Sequence, residues 1–69
     1  MKISARNILK GTVKEIVLGA INAEVIIDVA GTEIAAQISI TSVKSLGLAV
    51  GKQAYAVIKT DSVLVGVDE

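Results

Sequence analysis

Hydrophobic and polar residues alternate along most of this chain with a period of two, which is typical of half-buried β-strands. Such a stretch places apolar, often β-branched side chains on one side of a pleated strand and polar side chains on the other. Val25, Ile27 and Val29, for example, alternate with Glu24, Ile26 and Asp28. The pattern predicts antiparallel strands near residues 7–17, 21–29, 33–40, 53–59 and 62–67.

Glycines and hydroxyl residues mark the breaks between these strands. Gly19 and Gly31 suit tight hairpin turns that need a positive φ, and Gly51 turns the chain into the fourth strand. The segment 41–47 predicts a short helix, with Thr41 or Ser42 as N-cap and a glycine just past its end. The helix therefore falls between the third and fourth strands.

Five strands with one short helix between strands three and four is the element order of an all-β, OB-like barrel. Gly11 and Gly66, which interrupt strand patterns, fit the bends of a small closed barrel. An SH3-like barrel is the competing assignment.

The chain has 69 residues, enough for one small domain spanning 1–69. A domain of this size is marginally stable alone, and most such domains add disulfides, metals or partner subunits. This chain has no Cys for disulfides and no His for an ordinary metal site. Partner subunits are therefore the remaining means of stabilisation. Ile26 and Val57 add apolar side chains to the second face of their strands, which favours a subunit interface. The sequence thus predicts an oligomer.

The composition of the chain argues against several classes of function. Without His or Cys there is no thiolate, no imidazole base and no ordinary transition-metal site, so we expect neither an enzyme nor a cofactor. Seven basic residues balance seven acidic ones and Tyr55 is the one aromatic residue, which disfavours nucleic acid. The uncharged stretch 34–43 is too short to span a bilayer and the N-terminus does not resemble a signal peptide. We expect a cytoplasmic protein without membrane contact.

Binding of a small oxyanion suits the remaining side chains, because it needs only N–H, hydroxyl and cationic donors. Three segments group such donors: 4–7 with the one arginine, 39–42 at the predicted helix start, and 59–62 after strand four. Each also has a structural interpretation as surface charge, helix cap or turn. From the residues alone, both interpretations stay open.

Four segments resemble the molbindins, small Mop-type proteins that bind molybdate and tungstate. Ser-Ala-Arg-Asn-Ile-Leu-Lys-Gly-Thr-Val at 4–13 resembles their opening, and Gly-Ala-Ile-Asn-Ala-Glu-Val at 19–25 resembles their second signature. Ile-Ser-Ile-Thr-Ser at 38–42 with Leu-Gly-Leu at 46–48 and Gly51 is the third match, and Ala-Val-Ile-Lys at 56–59 is the fourth. The matches follow the family order over nearly the whole chain.

The resemblance implies intracellular storage or homeostasis of molybdate or tungstate by a homohexamer, a trimer of dimers, with oxyanions held between subunits. One wall of the principal site would come from Ser4, Ala5, Arg6 and Lys59, together with Thr60 or Ser62. The other wall would come from Ser39 and Ser42 of a neighbouring subunit. A second class of oxyanion site would lie near Gly19, Ala20 and Asn22.

The sequence departs from the family pattern just after Lys59, where an acidic residue follows within two positions. Asp61 stands within Lys59-Thr60-Asp61-Ser62, and its carboxylate would repel a dianion, so we expect this side chain to point away from the ligand. Two other functions compete with oxyanion binding. The barrel could be an oligomerisation or protein-interaction module without a small ligand, or an OB-type nucleic-acid binder, since fold does not determine function.

Overall fold

The computed structural model describes residues 1–68. It contains the strands β1 (Asn7–Leu18), β2 (Asn22–Val29), β3 (Thr32–Ser39) and β4 (Gln53–Ile58), and the helix α1 (Ile40–Ser45) between β3 and β4. The strands form one antiparallel sheet in the order β3-β2-β1-β4. The all-β class, the first four strands and the place of the helix are confirmed.

Strand β1 joins the two halves of this sheet. Its first half, Asn7 to Thr12, pairs with β4, and its second half, from Thr12 to Leu18, pairs with β2. The register shifts between Val13 and Glu15, so Lys14 is an extra residue that bulges out of the ladder. A bulge bends its strand, and the sheet therefore curls into a half-barrel.

Gly11 lies at this bend because no side chain fits there. A Cβ atom on Gly11 would stand 2.4 Å from the Asp28 carbonyl oxygen and 2.8 Å from Cγ2 of Ile27. The expectation that Gly11 marks a bend is confirmed, and its cause is the close approach of β2 across the curled sheet.

The inner face of the half-barrel carries a small apolar core. Alternation along the strands turns these side chains inward, and one residue of α1 covers them from the end of the sheet. The buried residues are Val13, Ala23, Val25, Ile27, Val43 and Ala56.

The fifth strand expected near 62–67 is not formed within the chain. A 3₁₀ turn (Thr60–Ser62) follows β4, and residues 63–68 have no regular structure. Leu64 and Val65 are both 92% exposed. A strand needs a hydrogen-bonded neighbour as well as β-branched residues, and residues 63–68 pair with none of the four strands of their own chain. Gly66 accordingly marks no barrel bend.

The turns follow the sequence expectation with one exception. Gly31, Gly47 and Gly51 have φ values of 90°, 63° and 91°, as their turn positions require, and Ala30 shares the left-handed region at φ 50°. The positive φ expected at Gly19 is wrong, since this residue is not among the positive-φ positions. Gly19 is instead needed for space, because its Cβ would lie 2.8 Å from the Asn22 carbonyl oxygen.

We predict that Gly11→Ala lowers the free energy of unfolding by about 1–3 kcal/mol, because the methyl group overlaps β2 backbone that cannot move without breaking the ladder. Urea denaturation at one fixed subunit concentration measures this change. Thr12→Ala, at the exposed neighbouring position, is the control and should change stability by less than about 0.5 kcal/mol. Equal stability of wild type and Gly11→Ala would contradict the close approach described above.

Candidate functional site

Two of the three donor segments meet where β1 begins and β4 ends. Asn7 pairs with Ile58, so Arg6, just before β1, and Lys59, just after β4, lie at the same end of the strand pair. The chain extends from there to Ser4 on one side and through Thr60–Ser62 on the other. We call this group of residues, Ser4–Arg6 with Lys59–Ser62, the strand-end cluster.

Most hydrogen-bond donors of the strand-end cluster are free, although the Ser62 N–H donates to the Lys59 carbonyl at 2.9 Å. Arg6 and Lys59 are exposed, and among residues 1–68 neither forms an ion pair. The backbone N–H groups of Ser4 and Ala5 take part in no backbone hydrogen bond of the described residues. Asp61 is exposed in the first turn of the 3₁₀ segment. The cluster thus presents two cations with free hydroxyl and amide donors beside one carboxylate.

The third donor segment caps α1. The N-cap is Ser39, whose extended backbone (φ −71°, ψ 153°) lets its Oγ accept the Ser42 N–H at 3.0 Å. Ser39 Oγ in turn lies 2.9 Å from Ser42 Oγ and donates to it. The expectation that Thr41 or Ser42 is the cap is wrong, because the helix begins at Ile40, two residues earlier than a Thr41 cap would require.

These hydroxyls consequently have different hydrogen-bonding capacity. Ser39 uses its hydroxyl proton on Ser42, whereas Ser42 receives that bond and keeps its own proton for another acceptor. Thr41 is exposed at the same helix start. We call Ser39, Thr41 and Ser42 the helix-start cluster, in which Ser42 and Thr41 have the hydroxyl protons available to a ligand.

The fold keeps the helix-start cluster away from the strand-end cluster. Ser39 ends β3 and pairs with Asn22, which lies beyond the end of β1 at Leu18, whereas the strand-end cluster adjoins the start of β1 at Asn7. The two clusters are therefore separated by the length of β1, roughly 36 Å of strand. The helix-start cluster follows the edge strand β3, whereas the strand-end cluster adjoins β1 and the opposite edge strand β4. One chain does not bring together all the residues expected in the principal site.

The segment expected to form a second site lies beside the helix-start cluster. Asn22 is the register partner of Ser39, and the Ile21 carbonyl accepts the Ile40 N–H at 2.9 Å. The Gly19 N–H donates to the Asn22 carbonyl at 2.8 Å and closes the turn. Gly19, Ala20 and Asn22 are all exposed.

A depression on the other side of the sheet has unsuitable chemistry for an anion. It is lined by Thr12, Lys14, Asp28 and Gly31. Lys14 is already paired with Glu33, whose hydrogen bond and charge raise the pKa of the lysine above its ordinary value. Asp28 would repel an anion at the same place.

The described residues show neither a metal-ligand cluster nor a helix suited to crossing a membrane. Within 1–68, no group of three or more Asp or Glu side chains is placed to hold a metal ion. None of the helices in that range has the length and apolar character needed to cross a bilayer.

An apolar groove runs along the open side of the half-barrel, and the sequence patterns did not reveal it. Its volume is about 330 Å³. The inner faces of β2 and β3 form one side, and β4 with the loop after α1 forms the other. The lining residues are Met1, Val25, Ile27, Ala36, Ile38, Leu46, Leu48, Gln53, Ala54 and Tyr55. Periodicity identifies inward-facing residues but not whether the curled sheet covers them.

The two serines of the helix-start cluster should differ in their effect on stability. We predict that Ser39→Ala lowers the free energy of unfolding by about 1 kcal/mol, because the N-cap acceptor is lost. Ser42→Ala should cost less than about 0.5 kcal/mol, because the Ser42 hydroxyl only receives a bond. Urea denaturation of both variants at equal concentration measures the difference, and a larger loss for Ser42→Ala would refute this assignment of the cap.

Comparison with known proteins places this geometry in a family. Residues 3–65 match the TOBE domain. A probable molybdenum-pterin-binding protein from Haemophilus influenzae is 54% identical over 69 residues, covering 99% of this chain and 100% of that protein.

Two solved structures share the fold. A molybdate-binding protein from Sporomusa ovata has a TM-score of 0.91 and 45% identity, covering 97% of this chain and 100% of that chain. The cytoplasmic molybdate-binding protein ModG, in a form with molybdate bound, has a TM-score of 0.80 and 52% identity over 86% of this chain and 43% of that chain. The all-β, OB-like class is thereby confirmed, and the chain belongs to the TOBE domain family as a molbindin-type member.

Proposed function

We propose that this protein binds molybdate or tungstate in the cytoplasm, for storage or homeostasis of the metal, and that it is a binding protein rather than an enzyme. One observation carries the proposal: the Asn7–Ile58 pairing brings Ser4–Arg6 and Lys59–Ser62 together with their cations unpaired among the described residues. The molybdate-binding relatives from Sporomusa ovata and ModG support the choice of ligand.

The chemistry of the ligand matches these donors. Molybdate is a tetrahedral dianion whose oxygens only accept hydrogen bonds, so it is best held by N–H, hydroxyl and ammonium groups. Lys59 supplies a compact charge, and the free N–H groups of Ser4 and Ala5 supply directed donors. Asp61 is the one carboxylate in the cluster, and its exposed position allows it to face solvent. Size then separates molybdate from sulfate, because the two share charge and shape.

The principal site lies between two copies of the chain. The strand-end cluster of one copy forms one wall, and Ser39 and Ser42 of another copy form the second wall. The separation of these clusters along β1 supports this arrangement, since a single copy holds them apart. In such a site Ser42 donates to the oxyanion, while Ser39 holds Ser42 in place through their mutual hydrogen bond.

The copies assemble by exchange of the segment 63–68, which we call the C-terminal arm. Val63, Val65 and Val67 share one side of this arm by the alternation of an extended strand, and it has no partner in its own chain. The apolar groove between the free edges of β3 and β4 offers both a surface for these valines and backbone partners. An arm from a second copy completes the five-stranded barrel, and dimers made in this way associate into a hexamer.

A second class of oxyanion site lies near Gly19, Ala20 and Asn22. The exposure of this turn and its position beside the helix-start cluster support its placement at a junction of several copies. Apolar side chains adjoin it, with Leu18 64% and Ile21 76% exposed, as expected for a surface that other copies cover.

The name of the Haemophilus influenzae relative also includes a pterin. We propose the oxyanion alone as the ligand of this chain. A pterin ring is usually held by stacking on aromatic side chains, and Tyr55 is the one aromatic residue available. Tyr55 lines the apolar groove, which the C-terminal arm of the second copy fills in this proposal.

Calorimetric titration of the assembled protein tests the ligand. We expect heat with molybdate and with tungstate, and little with sulfate. Lys59→Met should raise the molybdate dissociation constant about 10–100-fold, because a hydrogen bond from a charged donor is lost. Lys52→Met is the matched control: Lys52 is an exposed lysine that precedes β4, at the other end of that strand. This control should bind molybdate as the wild type does.

Absence of heat with both metal oxyanions, on protein shown to be oligomeric, would contradict the proposal. It would favour the alternative, an oligomerisation or interaction module without a small ligand. In that case Lys59→Met and Lys52→Met would behave alike in every assay.

Native mass spectrometry tests the assembly. Val65→Asp should convert the oligomer to monomers, because it places an unpaired carboxylate against the apolar groove. Asp68→Ser alters the same arm on its other side and should leave the subunit number unchanged. An unaltered oligomer in Val65→Asp would show that the arm does not hold the copies together.

A further inference from the structure

The 3₁₀ turn Thr60–Ser62 has two roles in the arrangement proposed above. It carries donors of the oxyanion site, and it is the connection between β4 and the C-terminal arm. We infer that this turn is the hinge of arm exchange and that the bound oxyanion locks it, so that oxyanion concentration sets how fast subunits leave the assembly. This inference rests on the proposed function, from which it takes the site and the exchanged arm.

The turn has few interactions of its own. Its two backbone hydrogen bonds run from Ser62 N–H to the Lys59 carbonyl at 2.9 Å and from Val63 N–H to the Thr60 carbonyl at 3.4 Å. The second is long, no side chain caps the turn, and none of its residues is buried. A segment with few buried contacts and exposed hydrogen bonds opens at low cost.

The residues on either side of the turn differ in how they are held by the sheet. Ile58 is held in the ladder by its pairing with Asn7, whereas Val63 begins the arm, which forms no strand pairing among residues 1–68. A change of backbone angles within Thr60–Ser62 would therefore swing the arm as a unit while β4 stays in place. This short segment decides whether the arm points toward a neighbour or away from it.

An oxyanion in the strand-end cluster restrains this segment from both sides. Lys59 adjoins the turn directly, and Arg6 stands opposite across the Asn7–Ile58 pair. A dianion bound to both cations and to a hydroxyl of the turn would hold the turn against β1, which is hydrogen-bonded to both β2 and β4. The arm can then leave its groove only after the oxyanion has left the site.

This requirement gives a defined concentration dependence. If only empty sites permit opening, the rate of subunit exchange falls by the factor 1 + [L]/Kd, where [L] is the free oxyanion concentration. The rate therefore falls about 100-fold when free molybdate is 100 times its dissociation constant. A ligand that bound elsewhere and tightened the assembly indirectly would instead slow exchange to a plateau, because the liganded state could still open.

The experiment mixes ¹⁵N-labelled and unlabelled assemblies of the full chain and follows mixed oligomers by native mass spectrometry over a molybdate titration. Sulfate at the same ionic strength is the control anion, and Lys52→Met is the control variant. Hydrogen exchange of the Ser62 and Val63 amides is measured in parallel, with the Leu48 amide, which donates to the Val43 carbonyl after α1, as internal reference.

We expect exchange to slow in inverse proportion to molybdate without a plateau, and the Ser62 and Val63 amides to gain protection while the Leu48 amide does not. Lys59→Met should require at least about tenfold more molybdate for the same slowing. Calorimetric binding with unchanged exchange rates, or slow exchange without added protection at Ser62 and Val63, would overturn the hinge while leaving the proposed function intact. Absence of calorimetric binding would instead reject the proposed function itself.

Discussion

The main constraint on this structure is that one chain cannot close its own sheet. Four strands curl into a half-barrel with free edges at β3 and β4, and two buried core residues, Val25 and Ile27, also line the groove between these edges. The buried core is correspondingly small, with Val13 and Val25 as its largest fully buried side chains. In the proposed assembly, the C-terminal arm of a second copy fills this groove, and both subunit association and ligand binding depend on the open sheet.

The same constraint explains how a chain with no net charge can provide an anion site. Its seven basic and seven acidic residues give no overall attraction for an anion, so the site must come from local placement. Pairing of β1 with β4 places Arg6 and Lys59 at one strand end, while Glu33 pairs with Lys14 elsewhere on the sheet. A site built at a strand end is open toward solvent or toward another copy. In the proposed function, assembly encloses this site, and ligand and subunit contacts then support each other through linkage.

Most of the local structure could be predicted from the sequence. Period-two alternation is set by backbone geometry alone, so it located β1 to β4 to within about two residues at each end. The turns at Gly31, Gly47 and Gly51 were predictable, because a backbone with positive φ excludes most other residues. The errors have a common cause. Gly19 is required by the nearby Asn22 carbonyl, Ser39 caps a helix that begins at least two residues early, and the fifth strand lacks a neighbour. Each of these depends on a contact that sequence spacing does not record.

For the candidate site too, the sequence determined one part and the fold determined the other. The sequence alone determined the available chemistry: hydroxyl, amide and cationic donors, with no imidazole or thiol, because side-chain type is independent of conformation. The tertiary structure decided which donors meet, because strand register and sheet order set the distance between residues remote in sequence. Register brings Arg6 beside Lys59, and sheet order leaves Ser39 and Ser42 at the far end of β1.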